Sequence, residues 1–577
     1  MPLKINSITK SKILNWQKKL FDDETREAIE KLKNNPKELE DCFYKDLEFG
    51  TGGMRGLMGV GTNRINKYTI GKITQGISNY LHKVFKNDMI KVAIAFDCRN
   101  NSQFFANIVA NIFSSNEIKV YLFESLRPTP ELSFAVRHLK CQCGIVLTAS
   151  HNPPEYNGYK VYWKDGGQLV PPQDKAIISE INKIDYDDIN FIENKKLIRI
   201  IGKEIDTPFI KAVLKNGLLS DNSAKNRSNL KIVFTPLHGT AINSIPTALK
   251  NAGYNNLHIV KEQSKADGNF PTVKSPNPED PESLDMAINL AKKIDADIVI
   301  GTDPDCDRLG IVVRDEAGRF NLLNGNQAMV VMTKFLLDEC LKQNKLNKKE
   351  FIGSTIVSTP MISEISSDYG VKCKLSLTGF KWIAKMIEDN PEKRFICGGE
   401  ESNGFMVGDF IRDKDAVTAC ILACEIASIS KHNNKSFFAE LIKLYVKYGF
   451  YKERLISVTK KGIKGSIEIS KIMENTRKKP PIKINGSLVT KIDDYLFSKS
   501  IDIIKNKKQK INLPKSNVII FTTKDDSKIA LRPSGTEPKI KYYISVKQTL
   551  KNASYFHKVN KDLESKIDKI ISSIDFI

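Results

Sequence analysis

The sequence predicts an α/β protein of several domains: three doubly wound α/β units in series, then a C-terminal α+β domain. Three observations predict it. The chain has 577 residues, which at about 150 residues per domain corresponds to roughly four domains. Short apolar, β-branched runs recur between helical stretches, the strand–helix–strand rhythm of parallel sheets. Near Gly449 the rhythm changes, and strand-like runs crowd together around short helices.

In the first unit, residues 1–205, helical patterning over 7–48 precedes Phe49-Gly50-Thr51-Gly52-Gly53-Met54-Arg55-Gly56. The glycines let backbone approach a ligand, with Arg55 as a phosphate-facing cation. A Gly-rich hairpin with a solvated Arg is the competing reading. Runs 92–96 and 120–123 flank a helical stretch over 102–113, and Asp97, Arg99 and Ser102 follow the first of them. Residues 143–147 read as a buried strand that stops at Thr148-Ala149-Ser150-His151-Asn152-Pro153-Pro154. Asn-Pro disfavours an immediate helix. Ser150 is therefore presented at a strand's C-terminal tip, where open α/β sheets bind their ligands. Lys160 follows in Asn157-Gly158-Tyr159-Lys160, and residues 181–201 lack a clear period.

The second unit, 206–323, opens with a strand over 230–235. His238, in Pro236-Leu237-His238-Gly239-Thr240, reads as a turn histidine. After a Pro-rich connection over 267–278, a strand over 297–300 runs into Gly301-Thr302-Asp303-Pro304-Asp305-Cys306-Asp307-Arg308. The third unit, 324–447, holds strands over 355–359, 375–379 and 394–399. The last runs into Gly398-Gly399-Glu400-Glu401-Ser402-Asn403-Gly404. The fourth, 448–577, holds strands over 455–459, 518–523 and 542–546, the turn Arg532-Pro533-Ser534-Gly535-Thr536-Glu537-Pro538, and a final amphipathic helix over 554–573.

Three of these stretches carry legible chemistry. In an extended loop Asp303, Asp305 and Asp307 point the same way, and three such carboxylates repel one another unless a cation sits among them. Hard oxygen ligands favour Mg²⁺, with a substrate or enzyme phosphate completing the shell. An EF-hand is excluded, because the sixth and twelfth loop positions are Arg308 and Arg314. Glu400, Glu401 and Ser402 on a Gly-flanked loop suit a sugar's hydroxyls. Arg532, Ser534, Gly535 and Thr536 suit a phosphate.

Composition narrows the class. The net charge of +22 would fit a nucleic-acid binder, but the basic residues are spread along the chain, with clusters such as 505–510 in expected loops. A positive field that gathers anionic substrates is the simpler consequence. No apolar run is long enough to span a bilayer, and the Ala- and Cys-rich stretch 416–429 contains Glu425 and reads as a buried helix. The N-terminal residues show no apolar signal core. Ten cysteines without a CxxC pair read as reduced thiols in a cytosol.

Taken in order, the Ser150, Asp303–Asp307, Glu400–Ser402 and Arg532–Thr536 stretches resemble those of the α-D-phosphohexomutases. That family includes phosphoglucomutase, phosphomannomutase and, in a long-chain branch, phosphopentomutase. The resemblance covers nearly the whole chain. It implies three related domains and a cap around a central cleft, and a phosphoserine at Ser150. Mg²⁺ would be held by that residue with Asp303, Asp305 and Asp307. Arg55 and Arg308, the loop containing Thr378, Gly379 and Lys381, and Glu400 with Ser402 would face the substrate. Arg532, Ser534, Gly535 and Thr536 would hold its distal phosphate. Lys414, in Arg412-Asp413-Lys414-Asp415, matches a lysine proposed for proton transfer, and Lys160, Lys414 and His151 all stay open as the base. The activity so implied interconverts glucose 1-phosphate and glucose 6-phosphate through a sugar 1,6-bisphosphate, in a cytoplasmic monomer or homodimer. The Glu-Glu-Ser loop favours glucose, whereas chain length and residues 50–63 resemble the branch that includes phosphopentomutases. Two further activities compete with these. One is a phosphomannomutase; the other is a phosphoserine-type phosphatase that gives the phosphoryl group to water.

Overall fold

The computed structural model describes residues 6–50, 53–86, 88–217, 224–460, 462–534 and 539–573. These form four sheets. The first is β1 (Gly53–Leu57), β2 (Lys91–Phe96), β3 (Lys119–Phe123), β4 (Cys143–Leu147), β5 (Tyr156–Trp163) and β6 (Ile198–Ile201), in spatial order β1-β5-β4-β2-β3-β6. The second is β7 (Ile232–Thr235), β8 (Leu257–Ile259), β9 (Ile298–Thr302), β10 (Leu309–Arg314) and β11 (Phe320–Leu323), in order β11-β10-β9-β7-β8. The third is β12 (Glu350–Thr355), β13 (Lys372–Ser376), β14 (Arg394–Gly399) and β15 (Phe405–Val407), in order β13-β12-β14-β15.

These three sheets share one device. In each, a parallel strand runs into a loop and the chain returns antiparallel beside it: β4 to β5, β9 to β10, β14 to β15. The three connecting loops carry Ser150, the Asp303–Asp307 turn and Glu400. Burial explains the strands: β2, β4, β9 and β12 are buried almost throughout, so they read as unbroken apolar or small-residue runs.

The fourth sheet is antiparallel. It contains β16 (Phe450–Thr459), β17 (Lys483–Ile484), β18 (Ser487–Asp494), β19 (Lys499–Asp502), β20 (Lys507–Lys510), β21 (Ile519–Thr523), β22 (Lys528–Pro533) and β23 (Lys539–Gln548). Its order is β16-β23-β22-β21-β18-β19-β20, with β17 paired to β18. The final helix, Phe556–Ser572, packs Val559, Leu563, Ile567 and Ile570 into the core on this domain.

Four expectations need correction. The strands expected over 355–359 and 375–379 both lie earlier, at Glu350–Thr355 and Lys372–Ser376, and the chain turns after each. The aperiodic stretch 181–201 ends in a true strand, β6, parallel to β3. Its outer position leaves Arg199 and Ile200 exposed and erases any alternation. Lysines expected in a loop form β20, an edge strand exposed along its whole length.

At the N-terminus, helices Ser7–Trp16, Asp23–Leu32 and Pro36–Phe43 start at Asn6, Asp22 and Asn35, whose side chains cap their first turns. They fold around Trp16, Phe21 and Phe43, which close on Tyr68 of the first domain's helix Lys67–Val84. No helix among the described residues is long and apolar enough to cross a membrane.

Candidate active site

The loops after β4, β9 and β14 and the sheet β16-β23-β22 line one cleft of about 870 Å³. Ser150 is buried within it, in a left-handed conformation with φ 52°. Its Oγ donates to Asp303 Oδ2 at 2.7 Å and lies 3.2 Å from His151 Nδ1.

The three aspartates converge, each offering an oxygen within 4.8 Å of the others. The loop that presents them is a turn rather than the extended segment expected, with Cys306 at φ 56°. Asp303 Oδ1 accepts the Asp307 and Arg308 N–H groups, each at 3.0 Å, which ties the turn to itself. Thr129, opening helix Thr129–His138 of the first domain, donates its hydroxyl to Asp305 Oδ2 at 2.8 Å and its N–H to the Asp305 carbonyl at 2.9 Å. Lys160 Nζ bridges Asp305 and Asp307 at 2.6 and 3.0 Å, and Lys414 Nζ reaches Asp307 at 3.2 Å.

Electrostatics divide these groups. Burial, then Asp305 and Asp307, push Asp303 well above the usual carboxylate range. Burial also acts on Asp307, but Lys160, Lys414 and Arg308 outweigh it and hold that carboxyl low. Asp305 Oδ1 and Asp307 Oδ1 are buried without a hydrogen-bond partner. A cluster of hard oxygens, two of them unpartnered and one forced toward protonation, fits a divalent cation.

The third-domain loop is organised differently from expectation. Glu400 accepts from Ser402 Oγ at 3.0 Å, but Glu401 accepts from Thr355 Oγ1 and Ser358 Oγ at 3.1 and 3.2 Å. The two carboxylates therefore do not form a single fork. Burial raises Glu400 to about 7, with Lys414 opposing and Glu401 adding to the shift. Asn403 takes φ 56°, a conformation its side chain tolerates, and its carbonyl accepts the Leu309 N–H at 3.0 Å, joining this loop to the aspartate turn. Thr378 Oγ1 is buried without a partner at the cleft wall, beside Gly379 at φ 111°.

Arg55, Arg308 and Arg532 also line the cleft. Lys381 instead lines a smaller adjacent pocket with Trp163 and Gln168; burial lowers it to about 8, despite Asp174 and assisted by Arg532. Ser534 is fixed through its N–H to the Lys539 carbonyl at 2.7 Å, and Gly535 and Thr536 lie outside the described residues.

The matches decide the lineage. The description "Phosphoglucomutase/phosphomannomutase, alpha/beta/alpha domain I" fits residues 46–188, with domain II of the same family over 207–318 and domain III over 324–448. The chain belongs to the α-D-phosphohexomutase family. Among curated phosphohexomutases it is similar to a phosphoglucomutase of Staphylococcus epidermidis RP62A, 39% identical over 515 residues, 88% of this chain and 92% of that protein. It is 38% identical over 538 residues to one from Staphylococcus aureus MRSA252, covering 92% and 95%. A putative phosphomannomutase of Thermus thermophilus shares its fold, with a TM-score of 0.66 at 18% identity over 87% of this chain and 96% of that one.

Within this phosphohexomutase cleft lie residues that motif reading passed over. Lys541 stands opposite Arg532 across the β22–β23 ladder, and Tyr543 two residues on. The period-2 alternation of 539–548 was the available signal. Behind the cleft lining, buried Asp413, from the Arg412–Asp415 stretch, accepts from Tyr162 OH and Gln168 at 2.6 and 2.8 Å and lies 3.2 Å from Lys414. Glu279 pairs with Arg308; nothing in its acidic, Pro-rich surroundings marks it.

Proposed function

We propose that this phosphohexomutase interconverts glucose 1-phosphate and glucose 6-phosphate through a phosphoserine at Ser150 and glucose 1,6-bisphosphate. The observation that carries the reading is a single cleft that provides for both phosphates. Ser150 Oγ lies 2.7 Å from a buried aspartate triad, and Arg532 with Lys541 stands on the fourth domain's wall. Asp303, Asp305, Asp307 and Ser150 would hold Mg²⁺, which would neutralise charge on the phosphoryl group.

Phospho-Ser150 gives its phosphoryl group to the free sugar hydroxyl. The Oγ–P bond breaks, the sugar O–P bond forms, and the hydroxyl proton leaves to a base. The bisphosphate turns over, its other phosphoryl group returns to Ser150, and the proton goes back to the sugar oxygen. Burial, then Arg308 and Arg55, hold His151 well below its usual range, so it stands as a neutral acceptor beside Ser150. Burial opposes charge on Lys414, but Asp307, Asp413 and Glu400 keep it an ammonium. It therefore serves as a donor to phosphoryl oxygens rather than as the base. Lys160 does the same from the other side of the triad. Arg55 and Arg308 receive the transferring phosphate; Glu400, Ser402, Thr378 and Gly379 orient the sugar. Arg532, Ser534, Gly535 and Thr536 receive the distal phosphate, and Lys381 belongs with the Thr378–Gly379 loop that faces the substrate. Ten free cysteines suit a reducing cytoplasm.

The test is an assay with glucose 1-phosphate, Mg²⁺ and a trace of glucose 1,6-bisphosphate, following glucose 6-phosphate and inorganic phosphate together. Glucose 6-phosphate as the dominant product supports a mutase, and inorganic phosphate would make the protein a phosphatase. Mannose 1-phosphate and ribose 1-phosphate in parallel test the sugar. A preference of about tenfold, near 1.4 kcal/mol, for either would move the assignment to that sugar.

A further inference from the structure

Ser150 sits at φ 52°, a left-handed conformation that costs an ordinary residue about 1 kcal/mol or more. Something must hold it there. The Arg99 guanidinium, 3% exposed, donates to the carbonyls of Ser150 at 2.6 Å, Pro153 at 2.8 Å and Tyr156 at 3.1 Å, and also to that of Asn152. One planar cation thus gathers four carbonyls of the nucleophile loop. The carboxylate beside it, Asp97, accepts the Ser102 hydroxyl and the Arg99 N–H on Oδ1 and holds Oδ2 3.5 Å from Arg99 Nε, an ion pair without a hydrogen bond.

The other face of Arg99 is covered from the second domain. Phe270, 1% exposed, lies with its ring centroid 5.0 Å from the guanidinium carbon. Phe270 belongs to a turn that His238 fastens at both ends, its Nδ1 3.0 Å from the Lys265 carbonyl and its Nε2 2.9 Å from Thr272 Oγ1. The turn presses on the first domain without room to spare. A Cβ on Gly268 would collide with the Asn100 nitrogen and meet the Arg99 carbonyl carbon at 2.8 Å. Asn100 donates to Asn269 Oδ1 at 2.8 Å. Farther along the same segment, Ser275 Oγ donates to the His151 carbonyl at 3.3 Å.

We propose that Arg99 and Phe270 are positioning residues for phosphoryl transfer, and that the 265–275 segment of the second domain clamps the nucleophile loop of the first. Arg99 sets the Ser150 backbone so that Oγ meets Asp303. Phe270 shields the guanidinium from water, so its hydrogen bonds go to the loop and not to solvent. The clamp ties the domain that carries Ser150 to the domain that carries the triad, at a point outside the cleft. Neither side chain touches the sugar.

This rests on Ser150 being the phosphoryl carrier, and the experiment separates the two ideas. Wild type, Ser150→Ala, Phe270→Ala, Phe270→Leu and Gly268→Ala are compared at a temperature where all are folded by circular dichroism. Each is assayed for glucose 1-phosphate turnover and, by intact mass, for phosphate retained after incubation with glucose 1,6-bisphosphate. If wild type does not isomerise, or Ser150→Ala does, the carrier assignment fails. Given an active wild type, Phe270→Ala and Gly268→Ala should lower kcat about tenfold or more, because small misplacements of a reacting group are costly. KM should stay within about twofold. Phe270→Leu, which keeps an apolar cover, should recover most of kcat, and phosphate uptake by Phe270→Ala should be slowed in parallel. A Phe270→Ala enzyme that melts earlier but keeps wild-type kcat and phosphate uptake would overturn the proposal and leave the contact a domain cement. A rise in KM alone would equally overturn it.

Discussion

Removing the Ser150 hydroxyl takes one atom from a cleft and nothing from an apolar core. Ser150→Ala should abolish isomerisation and leave the melting temperature within a few degrees of wild type. Intact-mass measurement should show a species one phosphate heavier in fresh wild type and none in the variant; full turnover by the variant would end the phosphoserine mechanism. Asp305→Asn removes one anionic oxygen donor of three, and even outer-shell changes cost metal sites about 10–100-fold in affinity. The Mg²⁺ concentration for half-maximal rate should rise accordingly, and an unchanged requirement would place the metal elsewhere. Glu400 sets a pH dependence of opposite sign for activity and stability. Its folded value of about 7 exceeds its ordinary 4.5, so the folded state binds a proton more tightly. That stabilisation is present below 4.5 and is lost as pH rises through about 7. In the proposed sugar-binding role, however, the carboxylate is the accepting form, so kcat/KM should climb over the same window. Glu400→Gln should flatten both trends; a wild-type pH profile in the variant would count against this role. Most such residues were legible in the sequence because glycines, prolines and short polar strings surround them. Glu401 was not: whether it faces the sugar or Thr355 depends on where β12 ends.

Strands buried on both sides were legible because burial leaves only apolar and small side chains: 92–96, 120–123 and 143–147 lie within β2, β3 and β4. Strands at edges were not. β6 is half solvated, and β20 is Lys507-Lys508-Gln509-Lys510, with no apolar position at all. Charge is how an edge strand avoids pairing with another copy of the chain. Lys508→Val with Lys510→Val should therefore raise light scattering at high protein concentration without changing kcat. Equal solubility would show that the edge is protected by something other than its lysines. On the facing part of the same sheet, Arg532→Lys keeps the charge but loses the two-pronged geometry that phosphate accepts. KM should rise by about tenfold or more, for a loss of about 1.5–3 kcal/mol, and an unchanged KM would shift the distal phosphate toward Lys541.

At the scale of the whole molecule, the net charge of +22 meets substrates that are dianions. Raising salt from about 0.01 to 0.15 M shortens the Debye length from about 30 to 8 Å. At fixed free Mg²⁺, kcat/KM for glucose 1-phosphate should fall over that range, and a flat profile would show that the charge does not steer substrate. The four-domain order was legible, since the motifs appear one per unit, but the contacts between units were not, because Arg99 and Phe270 are far apart in sequence. That dispersal has a consequence for biogenesis. Ser150 and Asp303 are 153 residues apart along the chain, and Arg532 emerges from the ribosome after both. A nascent or proteolytically shortened copy has a serine without its aspartates, or both without a far wall. Such fragments lack part of the cleft, so isomerisation becomes available only once all three elements have been made and packed together.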